Sequence, residues 1–271
     1  MPEKKFGSVE MASAYDELSD PQFTHGKVLI ALLGIGPGDR ILDVGCGTGR
    51  LAAFAAERIG VEDRVVGIDP ASPRIQVAQE RGDPRLEFRI GEAEDLSQFP
   101  DGSFDAAYVN SVVNWIRDRP KAFDEAYRVL APGGRLGIGT TVRERPNQLA
   151  GIKRRAWKTL RGSDPSDSSE RRSRNTVTAD EIRVLLEGAG FVPRILEIRT
   201  FVSMFRDVAQ IVDFLQATSY GDLAPGASAA DYAAFRSALE TLFASEYADC
   251  VGSDGIRLER YVLLVVAEKP K

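Results

Sequence analysis

The chain has 271 residues, 43% hydrophobic and 28% charged, which are the proportions of a globular domain and not of a disordered, collagen-like or disulfide-rich chain. Its 35 basic and 40 acidic residues give a net charge of −5, so nucleic-acid binding is not the first expectation. With two cysteines and one histidine, we expect neither a disulfide framework nor a metal site. No apolar run reaches membrane-spanning length and no signal peptide is apparent, so we expect a cytoplasmic protein without a membrane partner.

The basic charge is concentrated in one part of the chain. Residues 143–174 contain ten Lys or Arg against four Asp or Glu. Such a segment could bind RNA, an acidic carrier protein or an anionic substrate, although a solvated helix face is the commonest outcome. Only one aromatic residue, Trp157, lies in it, whereas single-stranded nucleic acid is usually bound on several aromatic rings. Nucleic acid or a carrier protein therefore stays an alternative partner that we do not favour.

The predicted elements begin with two helices, over residues 12–18 and 23–33. From residue 40 onward, short apolar runs alternate with helical stretches, which is the pattern of strands buried on both faces of a parallel sheet. Strands are predicted over 40–44, 64–69, 86–90, 104–110 and 135–141, and helices over 50–60, 73–81 and 122–130.

The second half interrupts this alternation with two insertions, 143–176 and 202–250. The first contains a predicted helix, 148–160, and a polar stretch, 162–169, that is typical of an exposed loop. After it come a helix over 178–187, strands over 191–201 and 256–268, and between those strands helices over 207–218 and 229–248. The whole chain, 1–271, is predicted to be a single α/β domain with a doubly wound, mostly parallel sheet. We expect 1–34 to be a helical lid, 35–142 the cofactor-binding half, and the insertions a cap.

A glycine loop follows the first predicted strand, in the sequence ILDVGCGTG. Gly45, Gly47 and Gly49 stand at alternate positions, where glycine lets the backbone turn tightly and approach a ligand. A nicotinamide-dinucleotide fingerprint would need its third glycine where Arg50 stands, and the lysine of a phosphate-binding P-loop is absent. Asp43 would repel a pyrophosphate but suits a ligand that carries an ammonium group.

Two further acidic positions follow the next strands. The second strand ends at Asp69, twenty residues after Gly49, where a carboxylate can accept both hydroxyls of a ribose. The third strand ends before Glu92, where an acid could meet an adenine amino group. A ligand with a ribose, an adenine, an ammonium group and no phosphate matches S-adenosyl-L-methionine, which we expect as the cofactor.

These motifs resemble those of the class I S-adenosylmethionine-dependent methyltransferases, in particular the small, UbiE-like (methyltransferase type 11) group. The glycine loop, VVGIDP, GEAEDL, FDAAYVNSVVNWIRD and RVLAPGGRL match five segments of that family, over roughly residues 10–141. The resemblance implies a Rossmann-like sheet of seven strands with the last one antiparallel. It also implies that these residues contact the cofactor: Asp43, Gly45, Cys46, Gly47, Gly49, Asp69, Pro70, Glu92, Ala93, Asn110 and Ser111. Many relatives have Asp in place of Glu92, so the adenine contact could instead be the backbone of Ala93.

The expected function is methyl transfer to a small, apolar or aromatic molecule at an O, N or C atom. Methyl transfer needs alignment more than acid–base chemistry, so no catalytic residue is assigned, and His25 and Tyr15 are weak candidates. His25 could equally be a surface histidine, and Tyr15 a packing residue. Aromatic residues of the insertions and of the segment after the fourth strand are candidates for the substrate pocket: Trp115, Trp157, Phe201 and Phe205.

Two alternatives stay open at this point. A methyltransferase of RNA or protein could dock through the basic segment, 143–174. A protein of this fold could also bind the cofactor without transferring methyl. The sequence leaves the substrate, the accepting atom and the oligomeric state undetermined.

Overall fold

The computed structural model describes residues 7–161, 176–219 and 227–271. One mixed sheet forms the centre of this part of the chain, with strand order β3-β2-β1-β4-β5-β8-β6. Its strands are β1 (Ile41–Val44), β2 (Val65–Asp69), β3 (Leu86–Ile90), β4 (Phe104–Asn110), β5 (Leu130–Thr141), β6 (Val192–Phe205) and β8 (Gly255–Glu268), and the two-residue strand β7 (Val251–Gly252) pairs with the beginning of β8.

Strands β1 to β5 are parallel, and β8 runs antiparallel to both β5 and β6. This arrangement confirms the doubly wound, mostly parallel sheet of seven strands with an antiparallel last strand; β7 is an addition that the sequence did not predict. The strand order reverses between β1 and β4, and ligands of open α/β sheets bind beyond the carboxyl ends of the strands at such a point.

Helices cover both faces of the sheet. They are α1 (Val9–Leu18), α2 (Asp20–Leu33), α3 (Arg50–Ala56), α4 (Ser72–Gln79), α5 (Arg119–Val129), α6 (Gln148–Arg161), α7 (Ala179–Gly188), α8 (Val208–Thr218) and α9 (Ala229–Ala244). Capping side chains fix several helix starts: Ser8, Asp118 and Asp207 each accept a backbone N–H, while Thr178 and Ser228 form capping boxes. Among the described residues, no helix is long and apolar enough to cross a membrane.

Most element bounds agree with the predicted ones within a few residues, and the larger differences have physical causes. Strand β5 begins at Leu130 and not at Arg135, because the backbone of the predicted turn continues the strand through a bulge in its pairing with β4. Strand β6 continues to Phe205, paired with β8 along its whole length, so the second insertion leaves the sheet later than predicted. The polar stretch 162–169 lies outside the described residues.

The insertions form a hydrophobic cluster of their own. Helices α6, α8 and α9 pack together with the outer ends of β6 and β8 around Ile211, Phe235, Leu239 and Leu258, each fully buried. This cluster is separate from the two clusters on the faces of the central sheet. The helices that we expected to cap the site therefore have a core of their own.

The N-terminal helices lie against the carboxyl ends of the strands. Helix α2 packs on β5, where Gly137 leaves room for Leu29 and Leu33; a Cβ atom there would approach both side chains to 3.3 Å. Helix α1 contacts α4 and α8. His25, on α2, is 1% exposed, so the surface interpretation of this histidine is wrong. Burial beside β5 places its ring inside the protein, next to the end of β4.

Candidate functional site

The glycine loop joins β1 to α3 in a conformation that needs glycine. Gly45, Gly47 and Gly49 have φ of +77°, +55° and +74°, which side chains rarely adopt. The backbone N–H groups of Gly45 and Cys46 donate to the carbonyl of Ile68, at 2.7 and 2.9 Å, and this ties the loop to the end of β2. The loop thus leads directly into the first turn of α3, whose N–H groups face the site.

Asp69, at the end of β2, holds the loop from the other side. Its two carboxylate oxygens accept the N–H groups of Gly47, at 3.0 Å, and Ala71, at 2.8 Å. Burial raises the pKa of this carboxyl, while the charge of Arg74 and the two backbone donors oppose the rise. Each carboxylate oxygen has two acceptor positions, so each can still accept one more hydrogen bond.

Asp43, on β1, is 2% exposed and accepts the hydroxyl of Tyr108 at 3.0 Å. Burial raises its pKa to about 8; the charge of Asp69 adds to the rise and the Tyr108 hydrogen bond opposes it. The carboxyl is therefore mostly protonated at neutral pH. A cation placed beside it would favour its ionised form.

Two adjoining cavities lie between the loop and the N-terminal helices. Tyr15, Gln22, Gly45 and Asn110 line both of them. The remaining lining residues of the first cavity are Ser19, Phe23, Asp43, Cys46, Gly47, Thr48, Arg50 and Leu51, and those of the second are Asp69, Pro70, Arg74, Ser111, Val112, Trp115 and Thr218. The predicted glycine loop, the carboxylates of β1 and β2 and the end of β4 thus meet at one place.

Unpartnered hydrogen-bond acceptors are buried in the walls of both cavities. Gln22 Oε1 and Asn110 Oδ1 are shielded from solvent and have no hydrogen-bond partner among the described residues. The Asn110 amide is held in place because its Nδ2 donates to the Gln22 carbonyl at 3.2 Å. Asp43, Gln22 and Asn110 all line the first cavity, and the Asn110 Oδ1 atom lies 2.5 Å from the position that a Cβ atom on Gly139 would occupy. Buried polar atoms are nearly always paired, so these acceptors indicate a ligand that brings several donors.

Helix α1 is attached across the glycine loop through Asp16. Its carboxylate accepts the Thr48 hydroxyl and a guanidinium N–H of Arg81, while its backbone carbonyl accepts Arg50 at 3.0 Å. These contacts place Tyr15 over the loop, 3.6 Å from the position that a Cβ atom on Gly47 would occupy. Arg74 stacks on the other side of the Tyr15 ring, 4.1 Å from its centroid. The lid predicted for residues 1–34 therefore includes a helix that covers the loop in this structure.

His25 meets the end of β4 at Ser111. Its Nδ1 lies 2.9 Å from the Pro21 carbonyl, which can only accept a hydrogen bond, so the proton is on Nδ1. Its Nε2 is then the acceptor for the Ser111 hydroxyl at 3.1 Å. Burial and, to a smaller extent, the charge of Arg260 lower the pKa of the imidazole to about 3. His25 is therefore a neutral acceptor, and Ser111 has a φ of +63°, which is a strained backbone of the kind found at functional sites.

The four aromatic residues that were predicted to line the substrate pocket have different surroundings in the structure. Trp115 is 47% exposed and lines the second cavity, and Phe201 contacts the His25 ring edge-on at 5.9 Å. Trp157 and Phe205 instead lie in the core of the cap, where Trp157 stacks on Phe235 at 4.5 Å, so neither lines these cavities.

The turn after β3 is also absent from the walls of the two cavities. Glu92 is exposed and Ala93 is buried against the core, and neither is a lining residue. The buried thiol of Cys46 has a pKa raised well above its usual range by burial, which is consistent with a filler role and not with a reactive thiolate.

The sequence analysis did not identify Gln22, Arg74 or Arg260 as site residues. Gln22 and Arg74 are on helices and carry no motif signal, since polar residues on helices normally face water. Arg260 stands at an alternate position with Ile256, Leu258 and Val262 on β8, and this pattern is the signal that could have placed it on the inward face of the strand.

Comparison with known proteins shows what the chain is similar to. Residues 42–138 match the family described as methyltransferase domain. Over 102 residues, the chain is 48% identical to a demethylmenaquinone methyltransferase of Thermus thermophilus, covering 36% of this chain and 46% of that one. Over 165 residues, it is 32% identical to an arsenite methyltransferase of Halobacterium salinarum, covering 59% of this chain and 39% of that one. The YcgJ protein of Bacillus subtilis has the same fold, with a TM-score of 0.61 and 18% identity over 92% of this chain and 99% of that one.

The chain therefore resembles the class I, S-adenosylmethionine-dependent methyltransferases over residues 42–138, as the motifs indicated. It spans less than half the length of the two curated relatives. The residues present fit the cofactor of that family. Buried acceptors on Asp43, Gln22 and Asn110 suit an ammonium group, and Asp69 suits a ribose.

Proposed function

We propose that this protein transfers a methyl group from S-adenosylmethionine to a small molecule. The observation that supports this most directly is the set of buried acceptors around the first cavity, namely the carboxyl of Asp43 and the free oxygens of Gln22 and Asn110. An ammonium group has three N–H donors and no acceptor, so it matches such a set.

The chain's own residues would hold the cofactor by three kinds of contact. The glycine loop lets the backbone approach it closely, Asp69 accepts its ribose hydroxyls, and Asp43 with its neighbours accepts its ammonium group. Tyr15 covers the loop and excludes water from that end of the cavity. The cofactor, when bound, supplies an activated methyl group on a positively charged sulfur.

The remaining task of the protein is alignment. The leaving group of methyl transfer is neutral, so no residue has to stabilise a leaving anion, and holding the acceptor in line with the methyl group provides most of the acceleration. His25 contributes a fixed, neutral nitrogen lone pair beside Ser111 at the end of β4. We propose that His25 holds the Ser111 hydroxyl, whose oxygen accepts a hydrogen bond from the acceptor group and orients it.

A small acceptor is favoured over RNA or protein because the site is covered. Helices α1 and α2 lie over the strand ends, and α8 contacts α1. Part of the basic segment, 143–174, is neutralised within the chain, because Arg143 pairs with Glu181 and Arg155 with Glu246. Residues 171–174 of that segment lie outside the described residues.

The ribose contact predicts a loss of affinity in Asp69→Ala. We expect S-adenosylhomocysteine to bind about 1–3 kcal/mol more weakly, because charge-assisted hydrogen bonds to the ribose are lost. Isothermal titration calorimetry measures this directly. Asp69→Asn, which keeps one acceptor for the backbone, separates the ribose contact from the support of the loop, and the exposed Asp95→Ala is the control. Unchanged affinity in both Asp69 variants would refute the ribose role.

The choice between a small and a macromolecular acceptor is tested by methyl transfer from labelled cofactor. We expect label in a low-molecular-mass extract and none in RNA or protein. Phe201→Ala and Trp115→Ala should reduce transfer strongly and cofactor affinity little, while a double variant Lys153→Ala, Arg154→Ala on α6 should leave both unchanged. If the double variant abolishes transfer and the aromatic variants do not, the RNA or protein alternative replaces the small-molecule proposal.

A further inference from the structure

Arg260, on β8, is a buried arginine without a counter-ion among the described residues. Its relative exposure is 8%, and its Nη1 is shielded from solvent with no hydrogen-bond partner among residues 7–161, 176–219 and 227–271. Burial lowers its pKa to about 10, so the guanidinium still carries its charge at neutral pH. Burial of an unpaired charge costs several kcal/mol, which a protein tolerates where a ligand of opposite charge is to bind.

A second unpartnered group lies beside it. Ser203 Oγ, on β6, is buried and has no partner in the same described ranges. The antiparallel register pairs Phe201 with Arg260 and Ser203 with Leu258. Directly paired residues of antiparallel strands share a face, so Phe201, Ser203 and Arg260 face the same side of the sheet as close neighbours.

These residues lie where the core of the cap meets the core beneath α2 and α3. Leu258, two positions before Arg260, belongs to the core of the cap, whereas Val262, two positions after it, belongs to the core beneath α2 and α3. The charge of Arg260 acts on both His25 and Tyr15. Tyr15 lines both cavities, and Ser111, the partner of His25, lines the second one.

We infer that Arg260 and Ser203 form a subsite for a carboxylate of the acceptor, which makes the acceptor a small organic acid. This inference rests on the proposed function and specifies its substrate class. A guanidinium can donate two parallel N–H bonds to a carboxylate, and the serine hydroxyl supplies a third donor. The ring of Phe201, on the same face, offers an apolar contact for the carbon skeleton of the acid.

The cofactor also has a carboxylate, but the geometry assigns Arg260 to the acceptor. The ammonium acceptors that mark the amino-acid end of the cofactor, Asp43 and Gln22, line the first cavity at the glycine loop. Arg260 instead has Phe201 and Ser203 as neighbours on the outer strands. Arg260 thus lies at the boundary between the core of the cap and the core beneath α2 and α3, and it is not a lining residue of the first cavity.

The experiment compares benzoate with benzamide, which has the same size and no charge. Each is titrated into the protein loaded with S-adenosylhomocysteine, and the melting temperature is recorded. We expect benzoate to stabilise the protein, with a dissociation constant lower than that of benzamide by about tenfold or more. The response should be lost in Arg260→Met, weakened in Ser203→Ala, and weakened in Arg260→Lys, which keeps the charge without the paired donors. Arg257→Met, at an exposed position on the same strand, is the control and should respond like the wild type.

The melting temperature without acid gives an independent readout. Because Arg260→Met removes a buried charge that has no partner, we expect the variant to be as stable as the wild type or more so. An arginine with a purely structural role would instead leave a less stable variant.

Several results would overturn the inference. Equal responses to benzoate and benzamide, no response to benzoate, or an unchanged response in Arg260→Met would each do so. A large loss of S-adenosylhomocysteine affinity in Arg260→Met would assign the guanidinium to the cofactor's own carboxylate. Benzoate is also titrated into the cofactor-free protein. This titration tests the carboxylate subsite even if S-adenosylhomocysteine fails to bind, a result that would refute the proposed function.

Discussion

Gly47→Val should abolish cofactor binding while the protein stays folded. The backbone of Gly47 has a φ of +55°, and a Cβ atom there would meet only Tyr15, at 3.6 Å. The fold therefore has room for a side chain at this position, but that side chain would occupy the first cavity, where the ligand has to approach the loop. We expect a loss of affinity for S-adenosylhomocysteine of about a hundredfold or more, equivalent to roughly 2.7 kcal/mol.

Part of this effect could come from backbone strain, and Gly38→Val isolates that part. Gly38 also has a positive φ, of +90°, and its N–H also donates to a carboxylate, that of Asp63. No atom lies within 4 Å of its Cβ position, and it is in the loop between α2 and β1, away from both cavities. Valine in the left-handed region costs about 1–2 kcal/mol or more at either position.

Calorimetry and thermal melting on the two variants separate the explanations. We expect both variants to melt somewhat below the wild type and only Gly47→Val to lose binding. Binding by Gly47→Val close to that of the wild type would mean that the loop does not contact the ligand. Equal losses in both variants would mean that strain alone, and not blocked space, weakens binding.

The sheet could be predicted from the sequence because β1, β2 and β4 are largely apolar runs, while β3 alternates apolar and charged residues. The bounds of β4 and β3 agree with the structure, since each run stops at a polar or glycine residue at both ends. The end of β6 could not be predicted, because residues 202–205 extend the sheet only through pairing with β8, a partner more than fifty residues away. Long-range pairing of this kind overrides local pattern.

The cofactor side of the site was also predictable, because its main parts are consecutive in the chain. Asp43 and the glycines belong to one motif, and Asp69 follows at a fixed distance. The proposed acceptor side was not, because Ser203 and Arg260 lie on β6 and β8, which are far apart in the chain. Composition alone cannot distinguish aromatic residues that line a pocket from those that fill a core, which is why Trp157 and Phe205 were assigned to the pocket.

Cofactor affinity should depend on pH through Asp43. In the free protein this carboxyl has a pKa of about 8, so it is mostly protonated at neutral pH. The ammonium group of the cofactor favours the ionised carboxylate, and binding should therefore release a proton. The cofactor's own α-amino group has a pKa of about 7.7–8.0, so it stays charged below that range. Affinity should then rise by up to about tenfold per pH unit between about pH 6 and 8 and fall above that range, where the α-amino group loses its charge.

Two substitutions separate Asp43 from other titrating groups. Asp43→Asn mimics the protonated carboxyl, so its affinity should be low and nearly independent of pH. Tyr108→Phe removes the hydrogen bond that opposes the rise in the pKa of Asp43, so the pH dependence should move to higher pH. Titrations in two buffers with different ionisation enthalpies count the released protons. No proton release by the wild type near neutrality would contradict the role of Asp43.

The same carboxyl should make the stability of the free protein depend on pH, with a defined sign. A folded-state pKa of about 8 lies above the unfolded value of about 3.9, so the folded protein binds the proton more tightly. The resulting stabilisation is complete below about pH 4 and is progressively lost as the pH rises to about 8. Asp43→Asn cannot ionise, so its melting temperature should exceed that of the wild type by a margin that grows over this interval. Thermal melting of both proteins across the pH range measures the margin, and a margin that shrinks with rising pH would show that Asp43 is ionised in the free site. S-adenosylhomocysteine should stabilise the wild type far more than Asp43→Asn at about pH 8, because its ammonium group favours the ionised Asp43 carboxylate. Adding it should therefore remove the margin by which the melting temperature of the variant exceeds that of the wild type.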